Sequence, residues 1–322
     1  MHAQGTIGPD DPPAWVAVPF VSVILPAGRS DRVGVAVDSL LEQSFLRSRY
    51  EILVVTPEPE ALEEIADKDV RLVSVPKLYP PGRMRNIGAA RAKGEILCFF
   101  DDDCLAPDDW LESMERVLLM NDHAGAVGCR VTALEQTWWN RCADHALFTA
   151  YQGVKSGWVA GLGSAALAVR REAFEAVGGF DETLLASEDW DFSLRLNARG
   201  WQCWFVPTIE VLHDHRRGGF IKILRAVFRS GYLSGLTVQR RHYSDMAWLA
   251  RLMVRAGHPA VYWLVMLPYA MAATLLWAME TRPTPGVFFS CLPMVFLARC
   301  AYQFGVWRKL CGKRHSNNKE RK

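Results

Sequence analysis

Three consecutive carboxylates, Asp101, Asp102 and Asp103, directly follow an apolar segment at 95–100. Adjacent carboxylates repel one another and are costly to remove from water. If the apolar segment is a β-strand, the aspartates lie at its carboxyl end, where open α/β sheets bind ligands. Clustered carboxylates suit Mg²⁺ or Mn²⁺, and such a cation in turn holds a phosphate group. The alternative is a solvated acidic turn before a helix that begins near Pro107.

A second acidic pair, Glu188 and Asp189, begins a segment whose apolar residues have helical spacing. Backbone N–H groups at a helix N-terminus favour an ionised carboxylate. A carboxylate within hydrogen-bond reach of a hydroxyl can serve as a general base. The alternative is that Ser187 caps the helix while the acids only complement its dipole. Farther along, His213 ends a strand-like segment, where a histidine is either a structural residue or a metal ligand.

The elements that must position these side chains alternate between strands and helices. This alternation predicts βαβ units and an α/β fold with a mainly parallel central sheet. Right-handed crossovers would place Pro26, Thr56 and Asp101 along one edge of that sheet. No GxGxxG follows the first strand, which disfavours a dinucleotide-binding oxidoreductase. The predicted strands are 20–25, 50–55, 71–75, 95–100 and 165–169, and the helix before the aspartates is 82–93.

Taken together, these segments resemble the family 2 glycosyltransferases, which have the GT-A fold. The resemblance covers residues 20–215 and implies a nucleotide-sugar donor, a divalent metal (Mg²⁺ or Mn²⁺) and inversion at the anomeric carbon. The segments that carry it follow one another in order: VSVILPA (21–27), EILVV (51–55), GRMRNIGAARAKGEILCFFDDD (82–103), AVRREAFEAVGGFDE (168–182), SEDWDFSLRLNARGW (187–201) and VPTIEVLHDH (206–215).

The resemblance also implies a metal site and a catalytic base. Asp101 and Asp103 match the family's DxD pair, with Asp103 expected to contact the metal directly. His213 matches a histidine that closes the metal site in many members. Glu188 and Asp189 match an acidic pair whose second residue usually serves as the base. A metal held by carboxylates stabilises the leaving diphosphate as a Lewis acid, as sugar transfer requires.

The remaining expected contacts surround the nucleotide sugar. Arg85 and Asn86 match the family's Arg-Asn pair beside the nucleotide, and Pro26, Asp101 and Asp102 are expected in the same site. Thr56 stands where the family usually has an aspartate that reads the nucleobase. A hydroxyl can still hydrogen-bond a base, but this departure leaves the identity of the nucleotide open.

Two further features leave their alternatives open. The loop 161–164 (GLGS) is either a close-approach loop near the sugar or a turn before the next strand. Four aromatic residues either form a wall of an acceptor groove or pack in the core: Trp138, Trp139, Tyr151 and Trp158.

The charge of +2 hides a strong asymmetry. Residues 1–215 carry 19 Lys/Arg against 32 Asp/Glu, whereas residues 216–322 carry 18 against 3. The basic part is also the more apolar part, which favours contact with a membrane over nucleic acid. Residues 219–236 have the pattern of a basic amphipathic helix in a membrane interface, although docking onto the first domain is an alternative.

Two apolar segments follow. Residues 259–279 contain no charged side chain and would extend about 31 Å as a helix, enough to cross a bilayer. Residues 286–307 are interrupted by Arg299, so that a second span competes with a re-entrant segment. We expect two spans, because the basic tail then lies in the cytoplasm with the catalytic domain, at the inner or plasma membrane.

The predicted organisation is a flexible leader (1–19), a GT-A catalytic domain (20–215), a basic interfacial segment (216–257), a two-helix membrane hairpin (258–307) and a basic cytoplasmic tail (308–322). The eight cysteines form no CxxC pair and are expected to be reduced core residues.

The predicted function is metal-assisted, inverting transfer of a sugar from a nucleotide-sugar donor to a lipid-linked or membrane-proximal glycan. The alternatives are a polyprenyl-phosphate glycosyltransferase and a non-catalytic nucleotide-binding membrane scaffold. Membrane lipids are expected as partners and nucleic acid is not; the sequence names no protein partner.

Overall fold

The computed structural model describes residues 21–28, 31–153, 155–214, 216, 218–235 and 259–319. In this part of the chain, nine strands form one sheet with helices on its faces. The strands are β1 (Val21–Pro26), β2 (Tyr50–Thr56), β3 (Arg71–Ser74), β4 (Ile96–Phe100), β5 (Cys104–Leu105), β6 (Ala124–Ala133), β7 (Gly157–Val159), β8 (Ala166–Arg170) and β9 (Gln202–His213).

The helices are α1 (Val33–Leu41), α2 (Pro81–Arg91), α3 (Trp110–Met120), α4 (Trp138–Leu147), α5 (Arg171–Ala176), α6 (Glu188–Ala198), α7 (Phe220–Ser230), α8 (Pro259–Thr281) and α9 (Pro285–Lys319). Short 3₁₀ turns connect several of them, including one at Thr149–Tyr151. The predicted leader and residues 236–257 of the predicted interfacial segment lie outside the described residues.

The strand order is β3-β2-β1-β4-β8-β6-β9-β5, and β7 pairs with β9. The first four strands are parallel, which confirms the adjacent carboxyl ends expected for β2, β1 and β4. The expectation of a mainly parallel sheet is confirmed, because β6 and β9 run in the same direction as these four strands. Beyond β4 the sheet is mixed, because β8 runs antiparallel to both β4 and β6.

The reversed direction of β8 matters for the site. The N–H of Asp101 donates to the carbonyl oxygen of Ala165 over 3.0 Å, so the start of β8 lies beside the end of β4. The loop that precedes β8 therefore reaches the same sheet edge as the three aspartates.

The core consists of two apolar layers, one on each face of the sheet. The central strands are buried on both faces, as their uninterrupted apolar sequences predict. All eight cysteines are free, and six of them are buried.

The C-terminal helices pack against the rest of the described chain at α4. A third apolar cluster joins α4, α7, α8 and α9, with Cys142, Ile223, Trp277 and Val295 among its buried members. Each predicted membrane segment lies within a helix, and α9 continues to Lys319, well into the predicted tail. By length and hydropathy, one helix of the described residues, Pro285–Cys311, could cross a bilayer.

Candidate active site

A cavity of about 690 Å³ opens at the carboxyl edge of the sheet, between the catalytic domain and the C-terminal helices. Asp101 lines it from the end of β4, and Glu188 and Asp189 line it from the start of α6. Arg85 enters from α2, and Gly163 and Ser164 enter from the loop before β8. The fold thus gathers groups from four separate parts of the chain.

Arg85 is the charged centre of the cavity floor. Its Nη1 lies 2.8 Å from Glu188 Oε1 and its Nη2 lies 2.7 Å from Asp101 Oδ1. The side chain is only 5% exposed, and burial alone would lower its pKa. The two carboxylates outweigh burial and raise the pKa of Arg85, so the guanidinium stays charged.

Asp189 is the carboxylate best suited to exchange a proton. Loss of hydration on burial and the neighbouring charge of Glu188 raise its pKa to about 7. The N–H groups of Trp190 and Ser164 donate to its two oxygens over 2.8 and 3.3 Å and partly oppose that shift. A base with a pKa near neutrality can both accept a proton and release it.

The loop 161–164 lies close to aromatic side chains beside the cavity, and its contact with a sugar stays a prediction. A Cβ on Gly163 would lie 1.9 Å from Tyr151 Oη, and a Cβ on Gly161 would lie 2.6 Å from the Trp190 ring. Tyr151 Oη in turn accepts a hydrogen bond from the N–H of Ala165 over 3.0 Å. Small residues therefore let this loop lie directly against the side chains around Asp189.

The four aromatic residues have different positions. Tyr151 is buried and lines the cavity. The three tryptophans are exposed, Trp138 and Trp139 on α4 and Trp158 on β7, so none of them packs in the core.

Ser187 does not cap α6 with its side chain. It precedes the helix with φ of 59°, in the left-handed region that non-glycine residues rarely adopt. Its hydroxyl lies 3.3 Å from that of Ser230 at the end of α7. The capping alternative is wrong on this point, and a strained residue directly precedes Glu188 and Asp189.

A group of metal-ligand type lies next to the cavity. His213 Nε2 is 2.9 Å from Asp103 Oδ1, and the Cys104 thiol is close to both. Burial raises the pKa of Cys104 well above its usual value, which favours a protonated thiol, a poor ligand for a hard cation. The donors that fit Mg²⁺ or Mn²⁺ are thus the oxygen of Asp103 and the imidazole of His213. Phe148, which lines the cavity, contacts the His213 ring at 5.1 Å between centroids.

Two predicted residues do not have the positions expected for them: Asn86 does not line the active-site cavity, and Asp101 lines the cavity but not the metal-ligand group. Asn86 donates to the carbonyl of Phe180 and to Glu182, and accepts from the N–H of Phe180, so it holds that loop. Asn86 lines a second cavity together with residues of α2 and α5, and it does not line the first. Asp101 pairs with Arg85 and lies outside the Asp103–His213 group.

Three predicted nucleotide-binding residues lie along the expected sheet edge. Pro26 ends β1 beside Val55. The Thr56 hydroxyl accepts from the N–H of Glu58 over 3.2 Å, within its own loop. Asp102 accepts from the N–H of Gly28 over 3.3 Å. Their contacts with a nucleotide stay predictions.

Sequence reasoning missed the far wall of the cavity, which the C-terminal helices provide. The sequence showed that Arg299 interrupts an apolar segment, but it did not show that the side chain lines this cavity. The residues that α8 and α9 contribute include Met266, Tyr269, Glu280, Arg299, Tyr302 and Gln303.

Comparison with known proteins identifies relatives of this chain. O-antigen biosynthesis protein RfbC of Myxococcus xanthus is 32% identical over an alignment of 225 residues, which covers 61% of this chain and 17% of RfbC. The pre-mycofactocin glycosyltransferase of Mycobacterium tuberculosis is 28% identical over 205 residues, 62% of this chain and 42% of that protein. The chain therefore spans less than half the length of either relative.

A solved structure shares the fold. It is the mannosyltransferase PcManGT from Pyrobaculum calidifontis in complex with GDP-Man and Mn²⁺, with a TM-score of 0.54 and 18% identity over 89% of this chain and 87% of that one. The family described as "Glycosyltransferase like family 2" matches residues 22–250. With a mixed sheet of GT-A type and more than half of its length matched, the chain belongs to the glycosyltransferase-like family 2.

Proposed function

We propose that this protein transfers a sugar, with inversion at the anomeric carbon, from a nucleotide-sugar donor to a lipid-linked or membrane-proximal glycan. The observation that carries the proposal is Asp189, a carboxylate with its pKa raised to about 7 in a cavity that it shares with the Arg85–Asp101 pair. A scaffold that only binds nucleotide has no need of such a base.

In this reaction the acceptor hydroxyl attacks the anomeric carbon while the bond from that carbon to the donor phosphate oxygen breaks. Asp189 takes the hydroxyl proton, and the electrons of the broken bond leave with the nucleoside diphosphate. The N–H groups of Ser164 and Trp190 keep the carboxylate of Asp189 oriented. Arg85 holds Asp101 and Glu188 in place beside it.

A divalent metal would be held by Asp103 and His213, whose donor atoms lie 2.9 Å apart. When bound, it supplies Lewis-acid stabilisation of the leaving diphosphate. The mannosyltransferase that shares the fold was solved with GDP-Man and Mn²⁺, which supports a nucleotide-sugar donor and this metal here.

Attachment to a membrane is part of the proposal. The C-terminal helices expose large apolar side chains, among them Ile221, Leu264, Met271, Leu275 and Phe289. Cations on the exposed face of α7, Lys222, Arg225 and Arg229, suit anionic lipid. We place the catalytic domain on the cytoplasmic side, where a nucleotide sugar is supplied. Detergent-dependent extraction that resists high salt would support insertion, and release by salt alone would contradict it.

The direct experiment is hydrolysis of a panel of nucleotide sugars by the purified protein in detergent. We expect hydrolysis with Mn²⁺ or Mg²⁺, loss with EDTA, and a loss of about 10²-fold or more for Asp189→Asn. Asp38→Asn, which removes a half-exposed carboxylate from α1, is the matched control and should behave like wild type. Tight nucleotide binding without sugar release from any donor would instead identify a binding scaffold.

A further inference from the structure

Arg299 is a cation within an apolar helix, and it faces the active-site cavity. Its Nη2 donates to Thr149 Oγ1 over 3.0 Å, and its Nε is buried with no hydrogen-bond partner among the described residues. Glu280 also lines the cavity, but the described residues contain no ion pair between Glu280 and Arg299. A guanidinium has five N–H donors, so the described residues leave most of this group's capacity unused.

A series of contacts joins Arg299 to the residues around Asp189. Its partner Thr149 belongs to the same 3₁₀ turn as Tyr151. Tyr151 accepts from the N–H of Ala165, and the preceding residue, Ser164, donates to Asp189. A group bound by Arg299 therefore lies in the cavity that contains the proposed base.

Arg85, the other cation among the described lining residues, already has ion-pair partners within the protein. Arg85 binds Asp101 and Glu188, so its guanidinium is neutralised within the protein. A half-buried cation without an ion-pair partner is costly, and Glu280, whose charge acts on Arg299, forms no ion pair with it among the described residues. Among the described lining residues, Arg299 is thus the positive group that a ligand anion can pair with.

The surroundings of Arg299 indicate the kind of anion. The cavity wall near the helices contains apolar side chains from Leu147, Val227, Met266 and Val306. A guanidinium binds phosphate through paired N–H donors, and the apolar wall suits a hydrocarbon chain. We propose that Arg299 binds the phosphate group of a prenyl-type lipid that carries the acceptor. This assignment rests on the proposed function and names its acceptor class.

The test is binding of farnesyl phosphate to the full chain in detergent, with EDTA present so that no metal-borne phosphate site contributes. We expect Arg299→Gln to weaken binding about ten- to a hundredfold, with a smaller loss for Arg299→Lys. Arg91→Gln removes the same charge from the exposed end of α2, outside the cavity lining, and should bind like wild type. Farnesol should bind wild type and Arg299→Gln equally.

Equal binding of farnesyl phosphate by wild type and Arg299→Gln would overturn the proposal. The proposal would also be overturned if inorganic phosphate bound as tightly as farnesyl phosphate and with the same dependence on Arg299, because the site would then not select a lipid. Circular dichroism and thermal melting check that Arg299→Gln is folded; if it is not, the loss expected for Arg299→Lys decides. Wild-type hydrolysis of nucleotide sugars is measured separately, so that failure of the glycosyltransferase function and failure of the phosphate site are distinguishable.

Discussion

Arg85 and Glu188, 103 residues apart in the chain, form a buried ion pair with 2.8 Å between Nη1 and Oε1. The pair joins α2 to the start of α6 and holds the residue next to Asp189. Because Asp101 binds the same guanidinium, one arginine couples the end of β4 to the proposed base.

Arg85→Met should destabilise the protein by about 3–5 kcal/mol, because it leaves two carboxylates without their buried partner. The matched control is Arg83→Met on the same helix, whose ion pair with Glu182 is exposed on both sides and should contribute about 0–1 kcal/mol. Urea denaturation in detergent measures both. Equal effects of the two substitutions would contradict the central role of Arg85.

Turnover should fall as the pH decreases through about 7, because Asp189 must be ionised to accept the acceptor proton. Below that pH, log kcat/KM should rise by about one unit per pH unit and then level off above it. The pH profile of kcat/KM measures this. A flat profile between pH 5.5 and pH 8, at constant saturating metal, would rule out Asp189 as the group that titrates.

The same pKa has a consequence for stability. The native pKa of Asp189, about 7, lies above its usual value of 3.8, so between these values the native state binds a proton that the unfolded state has lost. This group's contribution therefore decreases as the pH rises through that window. Asp189→Asn should remove the decrease and gain stability relative to wild type above pH 7. Thermal melting from pH 5 to pH 8 is the measurement, and parallel curves for the two proteins would contradict it.

Gly163→Ala should cost about 1–3 kcal/mol of stability, because its Cβ would lie 1.9 Å from Tyr151 Oη and the buried tyrosine has little room to move. The change should also disturb the Ser164 N–H that binds Asp189, so activity should fall. Gly286→Ala, with no atom within 4 Å of the added Cβ, is the control and should be near neutral. A stable and fully active Gly163→Ala protein would show that the loop does not lie against Tyr151.

Cys142 on α4 and Cys291 on α9 test the packing of the C-terminal helices on the catalytic domain. Their sulfur atoms lie 3.4 Å apart. Treatment with diamide should therefore oxidise the two thiols to one disulfide as the diamide is reduced. Mass spectrometry of non-reduced peptides would identify the 142–291 link, and Cys291→Ser should abolish it. Separate modification of the two cysteines without a link would contradict this packing.

Local chemistry made much of the catalytic domain predictable. Apolar periodicity located the central strands, and the positions of Asp101 and Asp189 after a strand and at a helix start followed from local sequence. Their shared cavity was implied by the family resemblance, which assigns both residues to one site.

The mixed half of the sheet was not predictable in the same way. The direction of β8 depends on which strands it pairs with, and a short apolar segment has no signal for direction. Asn86 shows a similar limit. Its place in a motif predicted contact with the nucleotide, but in the structure its side-chain amide forms hydrogen bonds with the backbone of Phe180.

By itself the sequence determined the alternation of strands and helices, the family resemblance and the acidic residues at the sheet edge, because each depends on residues close together in the chain. Tertiary structure alone decided that Arg299 turns toward Thr149 and that α8 and α9 complete the wall opposite Asp189. The reason is physical: contacts over 150 residues depend on how whole helices pack, and hydrophobic burial sets that packing without leaving a local pattern.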